Sequence, residues 1–308
     1  MNKSRAALIS VLSNLSLIIL KVIASIMTGS ISVLSEALHS AMDLLAALIA
    51  LFSVKKAESP ADKEHPFGHG KYENLSGLIE GSLILFAALM IVYEAVKKAI
   101  TGPEIKQTEI AIAVMAFSAV VNLLVSSYLM RVARRTDSLA LEADALHLRV
   151  DVYSSAGVLA GLVIIRQTGL DILDSIIAAI VAMLVLNEGI GITRKSIGGL
   201  LDRSLPEEEL EIIKKTLEEY SHKIKDYHSL RSRKSGSERH LDLHITVCQN
   251  EKIATTHETM DQIERKLQSL LPNLKIIIHP EPCSHHSENC PAECYYKRSS
   301  ETSAGKAQ

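Results

Sequence analysis

The sequence has few of the features that mark nucleic-acid-binding or disulfide-rich proteins. Its 308 residues include no tryptophan, four phenylalanines and four cysteines, and the formal net charge is −2. Because there is no excess of basic residues and no basic stripe, binding to nucleic acid is not expected. All of the cysteines and half of the charged residues lie after residue 200. This segregation excludes a single uniform globule and indicates an apolar first part followed by a polar second part.

The first 200 residues contain six apolar stretches, each of the length, about 20 residues, that a helix needs to cross a bilayer. Polar or glycine-containing breaks separate them, so the sequence predicts six transmembrane helices. The predicted spans are 7–27, 32–54, 75–96, 110–130, 138–165 and 172–193. The first follows a short basic start without a convincing small-residue cleavage site, and we expect a retained helix rather than a signal peptide.

Lysine and arginine in the short connections predict the orientation of these helices. Basic residues concentrate before the first span and after the second, fourth and sixth spans. We therefore expect both termini in the cytoplasm. A compact chain with short loops is typical of a prokaryotic inner (plasma) membrane protein.

After residue 203 the pattern becomes that of a small soluble domain. Ser204 is predicted to cap a helix whose first turn contains Glu207 and Glu208, since acidic residues suit the positive end of a helix. The order of elements is α-β-β-α-β, which predicts a metallochaperone-like α+β fold around one small core. The predicted elements are a helix from the cap to about residue 222, strands 226–233 and 239–249, a helix 253–271 and a strand 274–279.

Two of the predicted spans carry a histidine and an aspartate four residues apart. His39 and Asp43 lie in the second span and His147 and Asp151 in the fifth, and this spacing puts each pair on one helix face about 6 Å apart along the axis. Ionisable groups cost at least about 2.5 kcal/mol each inside a membrane, so they indicate a functional site. Together the four side chains are a tetrahedral ligand set suited to Zn²⁺. The alternative is that each pair satisfies itself and joins helices by hydrogen bonds.

The loop after the second span holds three further residues of metal-ligand type, Asp62, His65 and His69. Pro66 turns His65 away from helical geometry and two glycines permit tight turns, so a short loop can fold the three side chains toward one point. A solvated polar loop is the alternative.

The soluble part supplies another candidate metal cluster, because adjacent strands can bring its histidines together. The ligand-type residues are His228, His244, His257, His279 and Glu281. A single histidine on a strand would not indicate a metal site. The prediction depends on five ligand-type residues occurring close together in the sequence.

The polar tail from residue 283 to residue 308 is predicted to be flexible without a ligand. Its thiols would stay reduced in the cytoplasm, which favours metal over disulfide, although the spacing matches no standard zinc finger. The candidate ligands are Cys283, His285, His286, Cys290 and Cys294. An unstructured tail with incidental metal affinity is the alternative.

Taken together, these stretches resemble the cation diffusion facilitator family. Residues 32–43 resemble its second helix, residues 65–71 its loop motif and residues 143–151 its fifth helix. The resemblance implies a homodimer, joined through the cytoplasmic domain, that exports a divalent cation in exchange for protons. We therefore predict a transport domain 1–203 and a cytoplasmic metal-binding and dimerisation domain 204–282, while the flexible tail 283–308 lies beyond the resemblance. The HxxxD form of the second helix resembles the zinc and cadmium branch.

The same resemblance implies a role for each cluster. The transport site would be formed by His39, Asp43, His147 and Asp151, the loop site by Asp62, His65 and His69, and the cytoplasmic-domain site by His228, His244, His257, His279 and Glu281.

The ligand types imply how exchange would work. Metal needs neutral histidine and ionised aspartate, so binding releases protons and protonation releases metal. We expect Zn²⁺ as the transported substrate and as a regulatory ligand, with Cd²⁺, Co²⁺, Ni²⁺, Fe²⁺ or Mn²⁺ as other candidates, and alternating access as the mechanism. An enzyme is not expected, because there is no HExxH pair and no nucleophile or general base beside the His–Asp sets. The alternative function is a membrane metal sensor that signals without moving ions.

Overall fold

The computed structural model describes residues 2–28, 31–101, 109–168 and 172–283. Contacts divide the chain into two units, with the boundary between Leu200 and Leu201. The described part of the first unit contains helices and connecting loops but no strand, and the second unit combines two helices with a sheet.

Six long helices form the first unit, as predicted. They are α1 (Lys3–Thr28), α2 (Ile31–Ala57), α3 (Lys71–Thr101), α4 (Glu109–Thr136), α5 (Leu139–Thr168) and α6 (Ile172–Leu200). Their outer surfaces are apolar: the exposed fractions of Phe52, Leu124 and Met183 are 63%, 66% and 73%. Large exposed apolar surface on long helices is what a hydrocarbon solvent allows.

Five of these helices are long and apolar enough to cross a membrane, judged by length and composition over the described residues. The helix outside that group is α5, whose first half carries Asp144, His147, Arg149 and Asp151. α5 can carry these ionisable side chains because Asp144 and His147 are buried between other helices rather than exposed to lipid.

Small residues bring α3 and α6 close together. A Cβ atom on Gly77 would lie 2.5 Å from the hydroxyl of Ser196, and one on Gly81 would lie 2.5 Å from the hydroxyl of Thr193. At one end of the same bundle, Glu73 of α3 accepts hydrogen bonds from the Lys3 ammonium at 2.9 Å and from the Ser138 hydroxyl at 2.6 Å. These contacts fix three helix ends around one neutralised carboxylate.

The second unit has the predicted α-β-β-α-β order. Its elements are α7 (Glu207–Glu219), β1 (Asp226–Ser235), β2 (Glu238–Val247), α8 (Ile253–Leu270) and β3 (Leu274–Pro282). The strand order is β1-β2-β3, with β1 and β2 antiparallel and β2 and β3 parallel, so α8 is the crossover between parallel strands. Gly236, with φ of 58°, provides the left-handed residue of the hairpin turn.

The predicted helix cap at Ser204 is wrong. The residue in the cap position of α7 is Pro206, which provides no side-chain cap. The Ser204 hydroxyl instead lies 2.8 Å from that of Ser232 on β1. Proline disfavours helical geometry in the residue before it, so Leu205 stays outside the helix, which begins at Glu207, two residues later than a serine cap would require.

Alternation along β2 separates a core face from an open face. Leu241, Leu243 and Ile245 are fully buried and pack with Ile213 of α7 and Ile263 of α8. The residues between them, including His244, project from the other face because side chains alternate along a strand. The sheet therefore presents its histidines on the face away from the two helices.

Candidate metal centres

The membrane unit brings the two predicted His–Asp pairs into one cluster. Asp43 of α2 lies at its centre, because its Oδ1 atom is 3.3 Å from Nε2 of His147 and 3.9 Å from Nε2 of His39. The same His39 nitrogen lies 3.5 Å from Oδ1 of Asp151 on α5. Each helix contributes one imidazole and one carboxylate, so neither helix holds the set alone.

Three of these residues have the mutual spacing that one ion requires. Ligand atoms of His39, Asp43 and Asp151 all lie within 4.8 Å of one another, while His147 joins them through Asp43. The Nδ1 atom of buried His147 also has no hydrogen-bond partner among the residues that the structure describes. These nitrogen and oxygen atoms are suitable ligands for a divalent cation. A purely structural hydrogen-bond network would be expected to satisfy the buried nitrogen, so a metal site explains the cluster better.

A cavity of about 160 Å³ opens onto this cluster and is lined by His39, Asp43 and Asp151. Asn122 and Lys21 are among the other polar side chains that line it, and the sequence did not indicate either as part of a site. Asn122 of α4 donates from Nδ2 to Oδ2 of Asp151 at 3.4 Å. Lys21 of α1, which is buried, donates to the Ser40 hydroxyl at 2.7 Å.

Asn122 joins α4 to α5 through this hydrogen bond. Its signal was a carboxamide in an otherwise apolar span, which indicates a buried partner without naming it. In the sequence, Lys21 is a lone charged residue in an apolar span, and such a side chain can either reach the membrane surface or pair with a neighbour. Its burial and its position at the cavity could not be inferred from spacing within α1 alone.

The loop between α2 and α3 folds its three candidate ligands onto one point. Ligand atoms of Asp62, His65 and His69 lie within 4.8 Å of one another. Nδ1 of His65 is 3.2 Å from one Asp62 carboxylate oxygen, and Nε2 of His69 is 3.3 Å from the other. Gly68, with φ of 84°, makes the turn that places His69 beneath His65.

The electrostatics of this loop keep its carboxylate ionised. The backbone N–H of His65 donates to Asp62 at 2.7 Å, and this hydrogen bond, helped by the neighbouring imidazoles, lowers the pKa of Asp62. His69 is buried, and apart from the 3.3 Å contact of Nε2 with Asp62 its ring nitrogens have no hydrogen-bond partner in the described residues. An ionised carboxylate beside an unsatisfied buried imidazole is the donor chemistry that a divalent cation needs.

In the second unit, strand register aligns the three strand histidines. His228 on β1 pairs with His244 on β2, and His244 pairs with His279 on β3. The His228 and His244 rings are 5.3 Å apart and the His244 and His279 rings 4.8 Å apart. Glu281, two residues beyond His279 on the same face, completes the group.

Glu281 connects the histidines through its two carboxylate oxygens. One lies 2.8 Å from Nδ1 of His244 and the other 3.2 Å from Nε2 of His228. The contact with His244 lowers the pKa of Glu281, so the carboxylate is ionised across the neutral pH range. His228, His244 and Glu281 have ligand atoms within 4.8 Å of one another.

His257 does not join this cluster in the described structure. It lies on α8, exposed, with Nδ1 3.4 Å from Asp261 one turn later. It nevertheless lines a cavity of about 260 Å³ to which Glu281 also contributes. The strands therefore hold four of the five predicted residues together, and the helix keeps the fifth apart.

The tail cluster is described at one residue. Cys283 follows β3, is buried, and donates its backbone N–H to the carbonyl of Val247 at 2.9 Å. The other predicted ligands of the tail, His285, His286, Cys290 and Cys294, lie outside the described residues.

Comparison with known proteins assigns the chain to a family. A family model for the cation efflux transmembrane domain matches residues 7–201, and a model for the cytoplasmic domain of cation efflux proteins matches residues 205–283. The chain belongs to the cation efflux family. This confirms the resemblance to cation diffusion facilitators, which was inferred from the motifs in α2, in α5 and in the loop between α2 and α3.

Relatives cover nearly the whole of this cation efflux protein. An uncharacterized transporter of Synechocystis is 34% identical over 276 residues, 90% of this chain and 89% of that protein. The cation-efflux pump FieF of Cronobacter sakazakii is 32% identical over 281 residues, 91% of this chain and 93% of that protein. A solved structure of the zinc form of CzrB covers 28% of this chain and 99% of its own, at 31% identity and a TM-score of 0.26.

Membership in the cation efflux family confirms the predicted fold class. The protein is an integral membrane protein with a helical transmembrane domain and a C-terminal cytoplasmic α+β domain. The family is one of transporters rather than enzymes, and together with its relatives it supports export of a divalent cation.

Proposed function

We propose that this protein exports Zn²⁺ in exchange for protons by alternating access. The observation that carries the proposal is the cluster of His39, Asp43, His147 and Asp151 in the membrane unit, open to a cavity. Two imidazoles with two carboxylates form a nitrogen and oxygen ligand set that suits Zn²⁺, with ligand distances of about 2.0–2.2 Å. The Irving–Williams order leaves Cd²⁺, Co²⁺, Ni²⁺, Fe²⁺ and Mn²⁺ as competing substrates at the same donors.

Proton exchange follows from the protonation that metal binding requires. Zn²⁺ binds neutral imidazole and ionised carboxylate, so loading expels protons from these side chains. After a conformational change opens the site to the other side of the membrane, protons bind to an imidazole or a carboxylate and displace the metal. The same four side chains therefore carry the cation in one direction and protons in the other.

We also propose the orientation and the assembly. The basic connections favour cytoplasmic termini, and the bacterial relatives support the inner membrane as the location. The match to the cytoplasmic domain model supports a homodimer joined through the second unit. In that unit, His228, His244, His279 and Glu281 would hold a regulatory Zn²⁺, and Asp62, His65 and His69 would hold one in the loop.

The test is Zn²⁺ uptake into proteoliposomes with an imposed proton gradient, while the lumenal zinc and pH are followed together. We expect Zn²⁺ entering as protons leave, and loss of both signals in Asp151→Ala. Glu188→Gln is the matched control, because this carboxylate lies on α6 and does not line the cavity. Zinc movement without proton movement would remove the antiport from the proposal.

A membrane sensor is the second candidate, and the metal group of the second unit favours it as much as a regulated transporter. The same preparation separates the two. A sensor binds Zn²⁺ with the wild-type ligands but moves none across the membrane.

A further inference from the structure

A buried lysine lines the cavity that opens onto the membrane metal cluster. Lys21 of α1 is 6% exposed, and the walls of the same cavity include His39, Asp43 and Asp151. Among the described residues that line the cavity, Lys21 is the only lysine or arginine. Ionisable side chains inside a membrane are costly, so an ammonium group at the wall of a ligand cavity indicates a function.

A hydrogen bond holds the Lys21 side chain beside the ligand face of α2. Its Nζ atom donates to the buried Ser40 hydroxyl at 2.7 Å. Ser40 directly follows His39 and lies three residues before Asp43. Residues three apart on a helix are neighbours on one face, with about 5–6 Å between their Cβ atoms. The ammonium is therefore held close to the Asp43 carboxylate.

The chemistry of an ammonium group limits what Lys21 can do there. It has three N–H donors and no acceptor, so it cannot be a ligand of the metal. A positive side chain can also bind an anion, but two carboxylates line the same cavity and would repel one. The remaining role is electrostatic: the ammonium occupies part of the field that the carboxylates of Asp43 and Asp151 offer to a cation.

Formal charges show the direction of this effect. Metal binding requires ionised carboxylates and neutral imidazoles. The two aspartates and Lys21 then leave the empty site with a single net negative charge, and a bound Zn²⁺ converts it to a single net positive charge. Without the lysine, the empty site would be doubly negative and the loaded site neutral. The lysine therefore stabilises the empty site and destabilises the loaded one.

We propose that Lys21 is a fixed positive charge that competes with the transported cation for Asp43 and Asp151, and so weakens cation binding and promotes release. An ion pathway needs binding that is favourable enough for entry and weak enough for exit. Lys21 supplies the second condition without touching the ion. This inference rests on the proposed export of a divalent cation through the membrane cluster.

The test measures the zinc affinity of the membrane site in the full-length protein by competition with a chromophoric chelator. That site is identified as the binding lost in Asp151→Ala. Lys21→Met removes the charge and keeps an unbranched apolar side chain that suits a membrane helix. We expect the dissociation constant to fall by about tenfold or more, because a unit charge about 6 Å from a divalent cation has an effect of that size even at the dielectric constant of water.

Transport provides a second readout of the same charge. In proteoliposomes, Lys21→Met should lower the zinc concentration that gives half-maximal transport and should also lower the maximal rate, since a more tightly held cation leaves more slowly. Loss of a merely structural lysine would have the opposite effect on affinity, because a distorted site binds its ion less tightly. The sign of the change therefore separates the two roles.

Lys21→Arg and Ser40→Ala are the matched controls. The first keeps the positive charge, and the second removes the hydrogen bond while keeping the ammonium, so neither should show the gain in affinity. Lys21→Gln is a second neutral variant, which keeps the test valid if Lys21→Met folds poorly. An unchanged or higher dissociation constant in the neutral variants, or an equal gain in Lys21→Arg, would overturn the inference. Wild-type protein that binds Zn²⁺ but moves none would remove the proposed export, and the affinities would still decide whether Lys21 opposes the cation.

Discussion

Asn122 holds one ligand of the membrane cluster in place. Its Nδ2 atom donates to Asp151 Oδ2 at 3.4 Å, and the amide is buried on α4. A side chain that orients a ligand typically contributes about 10–100-fold to metal affinity. We therefore expect Asn122→Ala to weaken Zn²⁺ binding at the membrane site by about tenfold or more, as measured by competition with a chromophoric chelator.

The control for that substitution is Ser126→Ala. Ser126 lies one turn along α4, is fully buried, and donates to the carbonyl of Leu123 in its own helix. Its removal should leave zinc affinity unchanged. Equal affinity in Asn122→Ala and wild type would mean that Asp151 is oriented by its other neighbours.

His240 makes the stability of the second unit depend on pH. Burial lowers the pKa of His240, and the positive charge of Arg233 lowers it further. Below the ordinary histidine pKa of about 6.5, the unfolded chain binds a proton that the folded chain does not. The free energy of unfolding therefore falls as pH decreases through this value, and it levels off at the lower pKa of the folded protein.

Replacing His240 with glutamine should remove that part of the pH dependence. Between about pH 7.5 and about pH 5.5, the thermal midpoint of the second unit should fall less in His240→Gln than in wild type. His222→Gln, an exposed histidine after α7, should follow the wild-type curve. Parallel curves for all three proteins would contradict the assignment.

Single residues also mark how far the sequence could predict the site. The His–Asp spacing in α2 and α5 predicted four side chains that the structure brings together, because helical periodicity fixes the face each pair shares. It could not predict that Asp43, rather than Asp151, contacts both imidazoles. That contact depends on the relative height and rotation of two helices, which no spacing within one helix records.

At the scale of elements, the close approach of α3 and α6 depends on glycine. A Cβ atom on Gly81 would lie 2.5 Å from the Thr193 hydroxyl, 2.9 Å from an Ile192 methyl and 3.2 Å from the Thr193 backbone nitrogen. Overpacking of this kind costs about 1–3 kcal/mol, because backbone cannot yield as a flexible side chain can. Gly81→Ala should therefore lower the thermal midpoint of the detergent-solubilised protein by several degrees.

Gly191 provides the contrast on α6. A Cβ atom there would meet nothing within 4 Å, so Gly191→Ala should leave the midpoint unchanged or raise it slightly through helix propensity. Both proteins can be followed by thermal unfolding in the same detergent. A midpoint for Gly81→Ala at or above that of Gly191→Ala would show that the two helices can separate without cost.

Helices and strands could be predicted from sequence patterns, but the exact start of a helix depended on tertiary contacts. Apolar length predicted six helices, and two strand-like runs on either side of a turn predicted β1 and β2, because these patterns depend on local backbone geometry. The predicted Ser204 cap was wrong, since Pro206 fixed the start of α7 and Ser232 of β1 paired with the serine. Local signals cannot register a partner 28 residues away.

For the molecule as a whole, the sequence predicted two parts from charge distribution, and the structure divides at Leu200 and Leu201. Each part has its own apolar core and its own group of metal-ligand side chains. The in-register histidines of the sheet depended on two strand pairings, one of which skips over α8. The sequence could suggest that the three strand histidines lie near one another, but their exact alignment depends on how the strands pair in the folded domain.

The metal-ligand group of the second unit, separate from the membrane cluster, leads to the prediction that zinc bound in the second unit regulates transport through the first. If Zn²⁺ at His228, His244 and Glu281 favours the transporting state, His244→Ala should lose activation by zinc and keep basal exchange. In proteoliposomes, the wild-type exchange rate should rise by about fivefold or more across the zinc range that fills this group, while the variant stays flat. Asp242→Asn, an exposed carboxylate two residues earlier on β2, should respond like the wild type. A variant that is activated as strongly as the wild type would make the metal group of the second unit a storage site, because occupancy there would then have no effect on movement through the membrane unit.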